Sequence, residues 1–195
     1  MPRPIEFEPE RVLKSAMLEF WENGYKTTSM RDISACTGLQ PGSLYLAYQD
    51  KRNLFIEALD LYINQRKEFI KTIFGTDEPA LLKFQNYFDL IVKSSLSKDG
   101  CKGCLMVNTI LEIPLDDSEI KDRITKVFHD VELIFKKTLD DAKREGTISK
   151  SKDTNGLAKL IITTIHGIRV LNKTRPKKAT LEAIINNLMS AIEQS

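Results

Sequence analysis

The sequence predicts an all-α protein of about nine helices, and three observations support this fold class. Apolar residues recur at intervals of three and four along nearly every segment, which is the spacing of one helix face. Proline, glycine and capping side chains interrupt these segments where helices begin and end. Strand-like alternation of apolar and polar residues is not convincing in any segment.

The helix boundaries follow from residues that favour helix ends. Pro9 and Pro41 suit first helical turns, Gly24 and Gly146 suit positions just past a helix, and Asp50 suits an N-cap. The helices are predicted, in chain order, near 9–23, 29–36, 40 onward, 50–72, 79–96, 103–113, 117–145, 153–173 and 178–194.

Composition and charge limit the possible classes of protein. The 195 residues are 42% hydrophobic and 29% charged, an ordinary balance for a chain that buries a core without disulfides. We expect a cytoplasmic protein that binds no membrane, because no apolar run reaches the roughly 18–20 residues of a membrane span. The net charge of +2 is too small to indicate a nucleic-acid partner by itself.

Residues 28–48 contain the most specific local pattern. Two short helices are joined by a turn that contains Gly38, and Pro41 stands at a tolerated position in the second helix. This arrangement predicts a helix-turn-helix, in which the second helix enters the major groove of DNA and the first braces against the backbone.

The order of residues around this pattern is also distinctive. It is carried by Phe20, Gly24, Tyr25, Thr28, Ile33, Ala35, Gly38, Gly42, Ser43, Leu44, Tyr45, Tyr48 and Lys51. With this spacing, the start of the chain resembles the DNA-binding head of the tetracycline-repressor (TetR) family of regulators. The stretch from Gly103 to Leu105, followed by Asn108, resembles a subgroup of the family's ligand domains.

The resemblance implies an organisation for the whole chain. Residues 1–50 would form a helix-turn-helix DNA-binding domain, joined through a long helix at 51–72 to an effector-binding and dimerisation domain at 73–195. The expected partners are double-stranded palindromic operator DNA, a small-molecule effector and a second copy of the chain, with no cofactor and no metal. We therefore expect a repressor that its effector releases from the operator.

The resemblance also implies the DNA contacts. Gln40 can hydrogen-bond a base edge, Gly42 lets the duplex approach closely, and Tyr45 can reach a phosphate or a thymine methyl group. Lys51 lies at a helix start, where a phosphate can bind. The expected contact residues are Thr28, Ser29, Arg31, Gln40, Pro41, Gly42, Ser43, Tyr45, Tyr48 and Lys51.

Apolar stripes mark the last two predicted helices. The final helix has one clean stripe, whereas the helix before it is apolar on more than one face. Two such helices from each of two subunits would form a four-helix bundle, as the resemblance implies; alternatively, all these residues serve the core of one chain. The expected dimer interface is Ile161, Ile165, Ile168, Leu181, Ile185, Leu188 and Ile192.

An effector pocket is expected between the helices of residues 79–173. Asn108 and His166 are its informative members, because a polar side chain on an apolar face needs a partner. Each also has a structural alternative: Glu112 can serve as the partner of Asn108, and His166 can be a satisfied core histidine. The expected ligand contacts are Phe84, Phe88, Cys104, Asn108, Phe128 and His166.

The spacing of Cys101 and Cys104 leaves a second hypothesis open. A helix N-terminus and the neighbouring Lys102 favour a reactive thiolate, so a redox- or electrophile-sensing regulator is the alternative. One C-x-x-C motif supplies only two of the four ligands of a structural zinc site. The motifs of phosphate-binding loops, nucleophile elbows and zinc proteases are missing from the sequence, which leaves a helical enzyme or scaffold as a remote alternative.

Overall fold

The computed structural model describes residues 8–114 and 117–193, and in these ranges it contains nine α-helices and no β-strand. The all-α prediction is confirmed, and each predicted helix boundary lies within two residues of the observed one. The helices are α1 (Pro9–Asn23), α2 (Met30–Thr37), α3 (Pro41–Tyr48), α4 (Lys51–Phe74), α5 (Ala80–Ser95), α6 (Leu105–Glu112), α7 (Ser118–Glu145), α8 (Thr154–Leu171) and α9 (Lys178–Glu193). Short 3₁₀ turns lie at Gly100–Lys102 and Asn172–Thr174.

Side-chain caps explain where several helices begin. Ser29 and Asp32 form a capping box on α2: the Ser29 N–H donates to Asp32 Oδ2 at 2.8 Å, and the Asp32 N–H donates to Ser29 Oγ at 3.3 Å. The Ser29 hydroxyl, which donates to Asp32 Oδ2 at 2.7 Å, and secondarily the Ser29 N–H lower the pKa of the Asp32 carboxyl. At the start of α4, Asp50 Oδ1 accepts the Asn53 N–H at 2.8 Å.

The described residues fall into two compact units. The first contains the chain through Arg66 together with Cys104–Lys121, and the second contains Lys67–Gly103 and the residues from Asp122 onward. The domain boundaries near residues 50 and 73 stay a prediction. Helix α4 runs through this region without a break.

Aromatic rings and aliphatic side chains form the core of the first unit. Phe20 meets Phe55 edge-on with ring centroids 5.0 Å apart, and Tyr25 packs on the same Phe55 ring at 4.5 Å. Ile33 of α2 and Leu44 of α3 are completely buried. This packing fixes the two short helices by their inner faces and leaves their outer faces available.

A hydrogen bond joins helix α6 to the loop that follows α1, within the same unit. Glu112 Oε2 accepts the Lys26 N–H at 3.3 Å. Gly24 has a φ of 85°, and a Cβ added there would lie 2.7 Å from Glu112 Oε1. Glycine therefore meets two needs at this position, a left-handed backbone and room for the carboxylate of α6.

The second unit is built around a cluster of aromatic side chains. Phe84 and Phe88 of α5 lie 5.9 Å apart, and Phe135 of α7 lies 5.8 Å from Phe84 and 5.2 Å from Phe74. Inward residues of α8 and α9 complete this core. None of the helices in the described ranges is long and apolar enough to cross a membrane.

Candidate nucleic-acid interface

Helices α2 and α3 form the predicted helix-turn-helix. Gly38 ends α2 with a left-handed φ of 73°, and its N–H donates to Ser34 O. The Ser34 hydroxyl donates to Leu39 O at 2.6 Å and so fastens the turn from within. The backbone then enters α3 through Gln40, which lies at the N-cap without a side-chain capping bond.

The outer face of α3 is neutral and partly apolar. Tyr45 is 49% exposed and Leu46 is 89% exposed, whereas Leu44 and Tyr48 turn inward. A Cβ added at Gly42 would meet nothing within 4 Å, so the fold itself does not require glycine there. A helix with this face can approach a base pair closely and present an aromatic ring, a hydroxyl and a branched aliphatic group.

Leu46 is a candidate contact that the sequence reasoning did not select. Its exposed fraction is the largest among the exposed large hydrophobic side chains of the described residues. The available signal was its place in the helix period, between the inward Leu44 and Tyr48. An apolar group of this kind suits the methyl group of thymine.

The other predicted contacts that remain accessible flank this face. Ser29, Arg31 and Gln40 are exposed, while Pro41 and Ser43 are half-buried in the first turn of α3. Ser29 is also committed to the capping box described above.

Three predicted DNA contacts also make contacts inside the protein. Thr28 is buried and its hydroxyl donates to Gly24 O at 2.7 Å. Tyr48 is only 5% exposed, and burial raises its pKa. Lys51 Nζ donates to Tyr25 O and Thr28 O, both at 2.8 Å. No local pattern indicates the hydrogen bonds of Lys51, because the carbonyls that accept them belong to a loop more than twenty residues earlier.

We expect Lys51→Met to destabilise the protein. The ammonium also donates to Lys26 O at 3.4 Å and lies 4.6 Å from the centre of the Tyr25 ring, so the substitution removes three charge-assisted hydrogen bonds and a cation–π contact. The free energy of unfolding should fall by about 1–3 kcal/mol, measured by urea denaturation. The exposed Lys26 gives the control variant Lys26→Met, expected to change stability little. Unchanged stability with lost DNA binding would restore the predicted phosphate contact for Lys51.

The predicted effector residues lie in different parts of the fold. Phe84 and Phe88 are buried within the aromatic cluster of the second unit. In the same unit, the Phe128 ring lies 4.1 Å from the His166 ring. Cys104, the buried N-cap of α6, and Asn108 belong to the first unit. The structure thus brings the four aromatic residues together in pairs.

His166 makes stability depend on pH. Burial, and secondarily the charge of Arg169, lower the pKa of this imidazole below its ordinary value of 6.5. At pH values below 6.5, the unfolded chain binds a proton on this imidazole more readily than the folded chain does. The free energy of unfolding should therefore fall as the pH drops from 6.5 through the lower pKa of the folded state. His166→Gln should lose less stability between pH 7.5 and 5.5 in urea titrations than the parent. The exposed His129 provides the control variant His129→Gln, and equal pH dependence in all three proteins would contradict this assignment.

The thiol-sensing alternative is not favoured. Cys104 is buried, Cys101 is half-buried with its Sγ donating to Lys98 O at 3.6 Å, and all three thiols are free. At Cys36, burial raises the thiol pKa to about 11, which suppresses the reactive thiolate. Within the described ranges, no group of three or more His, Cys, Asp and Glu side chains is placed to hold a metal.

Helices α8 and α9 bury the predicted interface residues and leave an outer groove, which Leu188 also lines. One chain buries all seven predicted interface residues in its own core: Ile161, Ile165, Ile168, Leu181, Ile185, Leu188 and Ile192. A shallow groove of about 690 Å³ runs along the outer side of the two helices. It is lined by Leu160, Thr164, Thr180, Ala183, Ile184, Asn187, Leu188 and Ala191.

Two protein-family models match this chain, one over the helix-turn-helix and one over the later helices. The family described as "Bacterial regulatory proteins, tetR family" matches residues 12–58, and "Tetracyclin repressor-like, C-terminal domain" matches residues 80–188. The transcriptional repressor ComR of Escherichia coli is 27% identical over 169 residues, which cover 86% of this chain and 80% of ComR.

Solved structures show the same fold. A cysteine variant of the TetR-family regulator CifR, complexed with a 26-base-pair operator DNA, has a TM-score of 0.86 at 24% identity, covering 97% of this chain and 99% of CifR. A TetR regulator from Chloroflexus aurantiacus has a TM-score of 0.85 at 24% identity, covering 95% and 94% of the two chains. Because the two family models together cover the helix-turn-helix unit and most of the remaining helices, the chain belongs to the TetR family of DNA-binding transcriptional regulators.

Proposed function

We propose that the protein is a homodimeric repressor that binds a palindromic operator and leaves it when a small-molecule effector binds. The observation that carries this proposal is the outer face of α3, where Gly42, Tyr45 and Leu46 offer groups suited to a DNA groove and are not needed by the fold. Gln40, Pro41 and Ser43 would add contacts at the start of the helix, and Ser29 and Arg31 would meet the backbone from α2.

The charge of α3, which we call the reading helix because it is proposed to contact the bases, affects how the protein recognises its operator. The sequence of α3, PGSLYLAY, contains no lysine or arginine. Phosphate neutralisation by cations dominates non-specific binding and gives it a steep salt dependence. Discrimination by this protein therefore rests mainly on base edges and methyl groups, with Arg31 as a nearby cation for the backbone.

The dimer in this proposal forms through the outer groove of α8 and α9. Leu160 is 44% exposed there, beside the small side chains of Ala183 and Ala191. Small residues let helices approach closely, so two copies related by a two-fold axis can pair these helices into a four-helix bundle. Such a dimer places two reading helices on half-sites about 34–36 Å apart.

Contacts inside the first unit support a route from effector to DNA. Arg52 at the start of α4 pairs with Asp117 at 3.0 Å and with Glu119, in the first turn of α7, at 2.8 Å. Glu112 ties α6 to the loop before α2. A displacement of α6 or of the start of α7 would therefore be passed to the helix-turn-helix and would change the spacing of the two reading helices.

The Phe128 and His166 rings indicate the chemical class of the proposed effector. The Phe128 and His166 rings combine an aromatic surface with a neutral imidazole that can hydrogen-bond a ligand. A thermal-shift screen of small apolar compounds that carry one polar group addresses this part of the proposal. A hit should raise the melting temperature of the parent protein more than that of His166→Gln.

The regulator function is tested with DNA from the region upstream of the protein's own gene. We expect fluorescence anisotropy to show binding at least about 10³-fold tighter than to a shuffled duplex of equal length and composition. Footprinting should reveal two protected half-sites one helical turn apart. Equal affinity for the two duplexes would refute specific operator recognition at this locus.

A further inference from the structure

A cleft in the second unit lies where the 3₁₀ turn after α5 meets the 3₁₀ turn between α8 and α9. Its volume is about 320 Å³. It is lined by Ser95, Leu96, Ser97, Lys98, Cys101, Asn172, Arg175 and Pro176. None of the proposed DNA contacts or aromatic effector contacts belongs to it.

A buried amide in the wall of this cleft lacks a hydrogen-bond partner. Asn172 is 1% exposed, and its Nδ2 donates to Ser95 Oγ at 2.9 Å. Its Oδ1 is buried with no hydrogen-bond partner in the described structure. A buried polar atom without a partner is unfavourable and calls for an explanation. A donor group on a bound ligand would satisfy it.

The charge around the cleft is positive. Lys98 and Arg175 are exposed cationic side chains in its lining, and no acidic residue is among the described lining residues. The nearby carboxylates have partners elsewhere: Asp99 pairs with Lys102, and Glu182 pairs with Lys178. Further cations lie close to Arg175 in the chain: Arg169 in the last turn of α8, Lys173 in the 3₁₀ turn, and Lys177 just before α9. This cluster attracts anions.

The 3₁₀ turn at Gly100–Lys102 packs tightly against the end of α5. A Cβ added at Gly100 would lie 2.1 Å from Ser95 O, so the 3₁₀ turn can pass the end of α5 only with glycine at this position. The turn therefore holds Lys98 and Cys101 close to the end of α5.

We propose that this cleft binds a small anionic metabolite that carries a hydroxyl beside a phosphate or carboxylate group. The anionic group lies against Lys98 and Arg175, and the hydroxyl donates to Asn172 Oδ1. The cleft is at the lower end of the range of about 300–1,000 Å³ for small-molecule sites, which suits a ligand of a few carbon atoms. This site is additional to the DNA interface, and its occupation does not depend on the proposed repressor function.

The unmodified protein permits a direct test, because Cys101 lines the cleft and Cys36 is exposed in the other unit. Glycerol 3-phosphate and glycerate serve as the phosphate and carboxylate probes, and ethyl phosphate lacks the hydroxyl. We expect one of the first two, at millimolar concentration, to slow alkylation of Cys101 by iodoacetamide several-fold. Cys36 reacts more slowly because its thiol pKa is raised to about 11, but its alkylation rate, followed by mass spectrometry over a longer time course of the same sample, should not change with the probes.

Variants distinguish a built site from general attraction of anions. Arg175→Gln and Lys98→Gln should each weaken calorimetric binding by about tenfold or more, as expected for one lost charge-assisted contact. Lys173→Gln removes an exposed charge from the same turn without touching the cleft and should bind normally. Ethyl phosphate should bind more weakly than glycerol 3-phosphate. No binding of either hydroxyl-bearing probe, or equal losses in Lys173→Gln and Arg175→Gln, would overturn the proposal.

Discussion

Replacing Tyr45 with alanine is expected to weaken operator binding by a factor of about 30 to 10⁴ while the fold and the dimer persist. A good side-chain contact to a base is worth about 1–3 kcal/mol, and a two-fold symmetric dimer makes each contact twice. The side chain is 49% exposed on α3, so its loss creates no cavity in the core. Fluorescence anisotropy against the footprinted operator measures the change.

Tyr48 provides a matched control on the same helix. The resemblance assigned a DNA contact to both tyrosines, but only 5% of Tyr48 is exposed. Tyr48→Phe removes just the hydroxyl and should leave operator affinity within about twofold of the parent, well below the effect of a lost contact. A large loss in Tyr48→Phe with normal binding by Tyr45→Ala would show that the reading face has been assigned the wrong way round.

Leu46 permits a test in which the DNA is changed as well as the protein. Leu46→Ala should hardly alter folding, because the side chain is 89% exposed and both residues favour helix. If Leu46 contacts a thymine methyl group, replacing that thymine with uracil should weaken binding of the parent. The same replacement should have little further effect on Leu46→Ala, which is the coupling that a double-mutant cycle measures. Additive losses at every thymine of the operator would exclude the contact.

The helix ends were predictable because their signals are local. Ser29 and Asp32 are three residues apart and cap the same helix, and Gly38 supplies a left-handed turn that other residues adopt at a cost. The local pattern is less informative in α3: the resemblance assigned DNA contacts to both Tyr45 and Tyr48, whereas only Tyr45 is exposed.

Contacts between residues far apart in the chain could not be predicted from local sequence patterns. Lys51 binds carbonyls of residues 25 and 28, and no local pattern indicates that its ammonium points back into the chain. The apolar stripes of α8 and α9 correctly predicted burial. They could not show whether the covering atoms belong to the same chain or to a partner, because the hydrophobic effect is non-directional. Leu160 is one of the residues that make α8 apolar on more than one face, but it was not among the predicted interface residues.

Replacing Leu160 with aspartate is expected to convert the proposed dimer to a monomer and to abolish high-affinity operator binding. Fully burying an exposed leucine contributes about 1.5–3 kcal/mol, but Leu160 is only 44% exposed, so its two copies in a two-fold interface contribute about 1–3 kcal/mol together. Losing this contribution raises the dimer dissociation constant by about 10- to 100-fold, and the cost of burying two carboxylates adds to this effect. Sedimentation velocity over a range of protein concentrations measures this change.

The control for this variant is Leu133→Asp, on the exposed side of α7 in the same unit. Leu133 is exposed to about the same degree as Leu160 but lies outside the groove. The Leu133→Asp protein should remain dimeric and bind the operator normally. The monomeric Leu160→Asp protein keeps its helix-turn-helix, so it should still contact one half-site weakly. Its operator affinity falls because two linked half-site contacts exceed a single contact by about 10²–10⁴. A dimeric Leu160→Asp protein with a normal melting temperature would place the interface on another face of the second unit.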